Sequence, residues 1–224
     1  MPFGNPRRTP EGTTIKDFLS DDVYEFAQTY LTRKRRILIL RGPMYPSPYP
    51  RPDPFAPAMV CDDILALNEE DSTKPITIII DSGGGHVNLG MDVYDYIMLS
   101  KAPVITIGHT IASMGVSVFI AGTKRLLLPN AQVILHLPET AFKEESLDSK
   151  DMLIRAKQLD DTKDSIVNCY IDRGATAGLK GKTRKQIHKK ILEDIDRVFV
   201  LTAQEAIDYG LADRIVTQED LFGG

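Results

Sequence analysis

The apolar run Val104-Ile-Thr-Ile107, a short polar turn, and then Thr110-Ile-Ala-Ser-Met-Gly-Val-Ser-Val-Phe119 decide how this chain is read. The order is that of strand, tight turn and helix, with Ser113 at the helix N-terminus. Orphan backbone N–H groups there favour developing negative charge, which makes Ser113 a candidate nucleophile. The bland alternative is a small residue that lets a buried helix pack. The pattern is not Gly-x-Ser-x-Gly, because Ile111 stands two places before Ser113.

Outward from this stretch, strands alternate with helices. Residues 36–40, 75–80, 104–107, 125–128 and 132–135 read as strands, and 21–33, 58–68, 87–98, 116–121, 184–193 and 202–209 as helices. Residues 147–173 carry one long amphipathic, charge-laced helix, followed by a glycine-containing break at 174–182. The alternation predicts an α/β domain with a largely parallel sheet. Residues 1–17 read as a flexible N-terminal tail and 217–224 as a C-terminal tail. Residues 43–57 hold too many prolines for a helix or a central strand, and read as an extended surface loop, either a stiff connector or an adaptor-docking segment.

Composition narrows the classes. The 224 residues are 42% hydrophobic and 26% charged, as in an ordinary globular protein, and the net charge of −4 argues against nucleic acid as the main partner. No apolar run is long enough to span a bilayer, so no membrane partner is expected. The first eight residues show no secretory core, and Cys61 and Cys169 match no zinc or redox spacing. Two buried thiols in a reducing cytoplasm are the expectation.

Several motifs compete for function. Asp81-Ser-Gly-Gly-Gly-His86 lies between a strand and a helix, but Asn88 stands where a dinucleotide fingerprint needs its third glycine. What remains is either a plain tight turn or a glycine turn exposing backbone N–H groups, the material of an oxyanion hole. Gly181-Lys182-Thr183 ends like a phosphate-binding loop, yet Thr176 replaces the first glycine and a helix precedes it, so a basic inter-helix turn is preferred. Of the four histidines, His136 follows a strand and precedes Leu137-Pro138, where a ring at a sheet edge can serve as general base or as a structural residue. No His, Cys and carboxylate set has metal-ligand spacing.

Ser82-Gly-Gly-Gly85, Gly90-Met91, Val93-Tyr94-Asp95, Ala112-Ser-Met-Gly115, Ala121-Gly122, Leu128-Pro-Asn130, Ile134-Leu-His136 and the segment from Thr202 to Asp213 occur in a telling order. In order and near-spacing they resemble the proteolytic subunit of the Clp protease, over roughly residues 18–216. The resemblance implies a ClpP/crotonase-like α/β fold with repeated β-β-α units, in which 147–173 is a handle helix. It implies a Ser-His-Asp peptidase: Ser113 attacks, His136 carries the proton, and the N–H groups of Gly85 and Met114 hold the oxyanion. It further implies heptameric rings stacked as a tetradecamer, unfolded polypeptides as substrates, and a separate AAA+ unfoldase that uses the ATP, so that this chain needs no cofactor.

Three departures limit that transfer. The N-terminal tail and the proline-rich loop are atypical, and the turn Gly108-His-Thr-Ile-Ala112 is longer than the family's usual one. Aligning on Tyr209-Gly210-Leu211 without a gap places Val198 at the position of the triad aspartate. Asp196 and Asp194 are the nearby carboxylates that could stand in. The expectations are therefore a Clp-type serine endopeptidase with weak or partner-dependent activity, or an impaired structural subunit that co-assembles with an active paralogue. An acyl-CoA enzyme of the crotonase fold lacks its acidic residues in the glycine turn, and a Ser-Lys pair through Lys124 is unnecessary beside His136.

Overall fold

A computed structural model of the chain describes residues 29–45, 56–138 and 148–222. Its centre is a sheet in the order β1 (Ile37–Arg41), β2 (Ile76–Ser82), β3 (Val104–Ala112), β4 (Lys124–Leu135), β5 (Phe199–Thr202), with β6 (Arg214–Ile215) beside β4. The first four strands run parallel and β5 is antiparallel to β4. This is a mixed α/β sheet, mostly parallel as the alternating elements predict.

The crossovers are α1 (Pro57–Asp71), α2 (Val87–Leu99) and α3 (Met114–Ile120), which pack side by side. The strand Ile76-Thr-Ile-Ile-Ile80 explains their placement: Ile76, Ile78 and Ile80 are fully buried, and Thr77 and Ile79 only half so. Period-2 burial of β-branched residues sends one face into the core, each isoleucine contributing about 1.5–3 kcal/mol of transfer free energy. The core so formed is continuous from Leu38 on β1 to Leu201 on β5.

Several expectations need correction. β3 does not stop at Ile107. It continues through Gly108-His109-Thr110 to Ala112, because a register shift between Gly108 and Thr110 absorbs the polar residues while pairing with β4 resumes. β4 is one strand rather than two, with Leu128–Ala131 bulging between its paired halves. From β1 to β4 strand and helix therefore alternate one to one, and two helices lie between β4 and β5. β1 begins at Ile37, since Arg36 takes φ 52° and turns its guanidinium onto the carbonyls of Leu67, Asp71, Lys74 and Pro75 at 2.9–3.3 Å, capping the end of α1. Pro57, read as loop, opens α1 at the position where a missing N–H costs nothing.

The long helix α4 (Ser149–Asp172) starts at Asp148, whose carboxylate accepts the N–H groups of Lys150 and Asp151 at 2.8 Å each. Two capping boxes, Thr183 with Gln186 and Thr202 with Glu205, start α5 (Arg184–Asp194) and α6 (Ala203–Tyr209). Residues 217–222, expected as tail, include the helical turn α7 (Gln218–Phe222), tied to β6 by Arg214 and Asp220. Cys61 is buried as expected, whereas Cys169 is only half-buried. The expected tail 1–17 and most of the loop 43–57 lie outside the described residues, as does most of the 21–33 helix. Among the described residues no helix is long and apolar enough to cross a membrane.

Candidate active site

The C-terminal ends of β2, β3 and β4 converge, and the candidate residues sit there. Ser113 joins β3 to α3 with φ 54° and ψ −126°, a conformation that costs a non-glycine residue about 1–3 kcal/mol and persists only where its surroundings enforce it. Its N–H donates to Ile134 O at 2.9 Å and its carbonyl accepts from Val116 at 2.9 Å. On the third side lies Gly84 at φ +84°, where a Cβ would stand 2.6 Å from Ala112 O, 2.7 Å from Ser113 Cβ and 2.8 Å from Met114 N. Only glycine fits between β2 and this turn.

Gly85 is held equally closely. Met44 donates to Gly84 O and accepts from His86 N–H, both at 2.8 Å, and this bridge leaves the Gly85 N–H directed away from it. A Cβ on Gly85 would collide with the Met44 carbonyl. Met114 opens α3, so its N–H has no intrahelical acceptor. Among the described residues neither N–H is accepted by any group. Two N–H groups without an acceptor among the described residues thus lie on the adjoining turns of Gly84 and Ser113, the kind of donors that can stabilise an oxyanion.

His136 follows β4. Antiparallel pairing sets Ile134 opposite Val200 and Leu135 opposite Phe199 and ends there; beyond it Leu137 N–H donates to Ile195 O at 3.1 Å, so the two chains leave the strand register at His136 and Val198. Val198 is 69% exposed. The His136 ring is satisfied instead by the main chain, Nδ1–H donating to Leu137 O at 2.7 Å. A carbonyl only accepts, so this contact calls for the proton on Nδ1, and of the two neutral tautomers it selects the one with Nε2 unprotonated.

Asp194 and Asp196, the two expected stand-ins, do not contact His136. The Asp194 carboxylate accepts the Tyr209 hydroxyl at 2.9 Å and pairs with Lys190, on the inner side of α5. Burial first, then the bond to Asp194, pushes the Tyr209 phenol well above its ordinary range. Asp196 is exposed and reaches Arg197 at 3.8 Å. The sequence reading missed two contributors. β5, which pairs with the end of β4 up to Leu135, is four residues long, and its one clear signal was the Thr202–Glu205 capping box just after it. The Leu137 carbonyl has no side-chain signature, although the Leu137-Pro138 pair marks a locally fixed backbone.

The Clp protease family profile matches residues 53–219. The chain is 36% identical over 157 residues to ATP-dependent Clp protease proteolytic subunit 3 of Synechococcus sp. (strain CC9902), covering 69% of this chain and 72% of that one. It is 37% identical over 156 residues to proteolytic subunit 2 of Prochlorococcus marinus (strain MIT 9313), covering 68% and 72%. Over 162 residues it is 36% identical to proteolytic subunit 2 of Tropheryma whipplei (strain Twist), covering 71% and 83%.

Proposed function

The chain belongs to the Clp protease family, and from that premise we propose that it is the proteolytic subunit of an ATP-dependent Clp-type serine endopeptidase whose triad aspartate position is occupied by Val198. Ser113 Oγ attacks the scissile carbonyl carbon while its proton passes to His136 Nε2. The N–H groups of Gly85 and Met114 receive the oxyanion. His136 then gives the proton to the leaving amine as the C–N bond breaks, leaving an ester on Ser113. Water, deprotonated by His136, hydrolyses that ester and the proton returns to Oγ.

The single observation that supports this most is the strained Ser113 backbone, with two N–H groups lacking an acceptor among the described residues on its own and the adjoining turn, beside the strand that leads to His136. In this reading the protein works in the cytoplasm on unfolded polypeptide, in heptameric rings stacked as a tetradecamer of itself or with a paralogue. The chain itself uses no cofactor, and a separate AAA+ Clp unfoldase spends the ATP. The 24-residue helix α4, about 36 Å long at 1.5 Å per residue, is the handle between rings, and its exposed Met152, Leu153 and Ile154 are suited to burial in that assembly.

Val198 supports a second reading, an impaired structural subunit beside an active paralogue. In a serine-peptidase triad, changing the carboxylate to an amide costs about 10⁴-fold in turnover. A fluorophosphonate probe separates the two, applied to the full chain alone and with an unfoldase or paralogue. Labelling of Ser113 under any of these conditions supports the peptidase; its absence under all of them leaves the structural subunit.

A further inference from the structure

We propose that the backbone carbonyl of Leu137 takes the place of the missing triad carboxylate, making Leu137 the positioning residue for His136. The inference rests on the peptidase reading and goes beyond it by naming what orients the base. The 2.7 Å contact gives the Nδ1–H its acceptor and leaves Nε2 free to take the Ser113 proton. A triad amide can present its N–H and lock the wrong tautomer, which is the main injury of that substitution. A carbonyl cannot make that error. What it lacks is a full negative charge facing the imidazolium, so proton transfer is retained while part of its stabilisation is lost.

The carbonyl is itself held. Leu137 N–H donates to Ile195 O at 3.1 Å, and Ile195, 2% exposed, caps α5 through its own N–H to Ile191 O at 3.0 Å. Asp194, one residue earlier, fastens that turn to Tyr209 and Lys190. From the other side Pro138 excludes the α region for Leu137 and keeps its peptide extended. The Leu137 side chain packs against the core. The carboxylate of Asp194 thus serves the base at a distance, by anchoring the turn that aims a carbonyl. Val198, one residue before β5 and exposed, stands where the resemblance places the triad aspartate and leaves room for a carboxylate to be restored.

The test compares wild type, Pro138→Ala, Val198→Asp and the double variant, all as full chain in whichever assembly supports labelling of Ser113. The readouts are the labelling rate and the pH profile of fluorogenic-peptide cleavage. Pro138→Ala frees the Leu137 peptide, and kcat should fall roughly 5–20-fold with KM within about twofold, a fraction of what general-base catalysis supplies. Val198→Asp should raise kcat roughly tenfold and move the acidic limb of kcat/KM to higher pH, since a facing negative charge favours the protonated ring. In the Val198→Asp background the Pro138→Ala loss should shrink below about twofold, which a merely structural proline would not do. An equal loss in both backgrounds, no loss at all, or no gain and no limb shift in Val198→Asp overturns the proposal. So does a loss above about tenfold in Asp196→Asn, which would assign the role to that carboxylate. If wild-type Ser113 is never labelled, the peptidase reading falls and this inference with it; labelling with any of the adverse results above overturns the inference alone.

Discussion

At the end of β3, Ser113 is fixed by covalent neighbours and close packing: a positive φ, a hydrogen bond to β4, and a glycine against which no other residue fits. At the end of β4, His136 is fixed by one hydrogen bond to the Leu137 carbonyl, and Val198, just before β5, is exposed. The first region stores strain that three elements enforce together, and the second depends on one loop carbonyl held by a helix end. Substitutions on the nucleophile side should therefore remove function outright, whereas those on the base side should scale it. In the function proposed here the site lacks its carboxylate and keeps its framework, because the Ser113 turn and the His136 turn are held by different contacts.

The largest break in this comparison is Ser113→Ala. It should abolish probe labelling and lower peptide cleavage by about 10⁴-fold or more, as removal of a triad nucleophile does elsewhere, without loss of the folded state by circular dichroism. Next is Gly84→Ala, whose Cβ would lie 2.7 Å from Ser113 Cβ at a φ of +84°. The backbone must shift at the nucleophile itself, and kcat should fall about 100-fold, as small misplacements of reacting groups can do. Thermal melting should fall too, because the strain of an L-residue there adds about 1–3 kcal/mol. Unchanged kinetics in Gly84→Ala would remove the distinction between a rigid nucleophile side and a yielding base side.

The same contrast decides what could be read from sequence. The strand-turn-helix junctions that carry Gly85 and Ser113 were legible from residue type and order, whereas the roles given to Gly85, Met114 and His136 rest on the family resemblance. The continuation of β3 through His109 and Thr110 was not, since polar residues in a bulge look like a turn until pairing on both edges is known. β5 is short and its Val200 exposed, so it carried no core signature of its own. Asp194 and Asp196 looked equivalent as neighbours of position 198. Burial separates them: a nearly enclosed Asp194 is taken by Tyr209 and Lys190, and Asp196 faces solvent. Main-chain acceptors such as Leu137 O leave no trace in residue identity at all.

Smaller changes sharpen the base side. Tyr209→Phe removes the hydroxyl that donates to Asp194 at 2.9 Å and leaves the carboxylate to Lys190 alone. Stability should fall by about 1–2 kcal/mol, the cost of leaving a buried acceptor short of a partner. Ser113 labelling should slow only a few-fold, because the α5 turn is loosened rather than lost. A complete loss of labelling would mean that Asp194 acts on His136 more directly than through the turn.

The smallest effect belongs to β6, beside the first half of β4, where Asp220 accepts from Arg214 at 2.7 Å and from Thr217 N–H at 2.8 Å. These bonds, Arg214 foremost, hold its carboxyl well below the usual carboxylate range. A folded-state value below the unfolded one means the unfolded chain binds the proton more readily, so this stabilisation is full at neutral pH. It fades as pH falls below about 4, the unfolded carboxylate value, towards the depressed folded one. Asp220→Asn should lower stability by about 1 kcal/mol at pH 7, and the gap from wild type should narrow in melts at successively lower pH. Peptide cleavage should not change, since Asp220 touches neither half of the site. A shift in kcat would mean that the β6 edge and the β4 end that carries His136 are coupled along the strand they share.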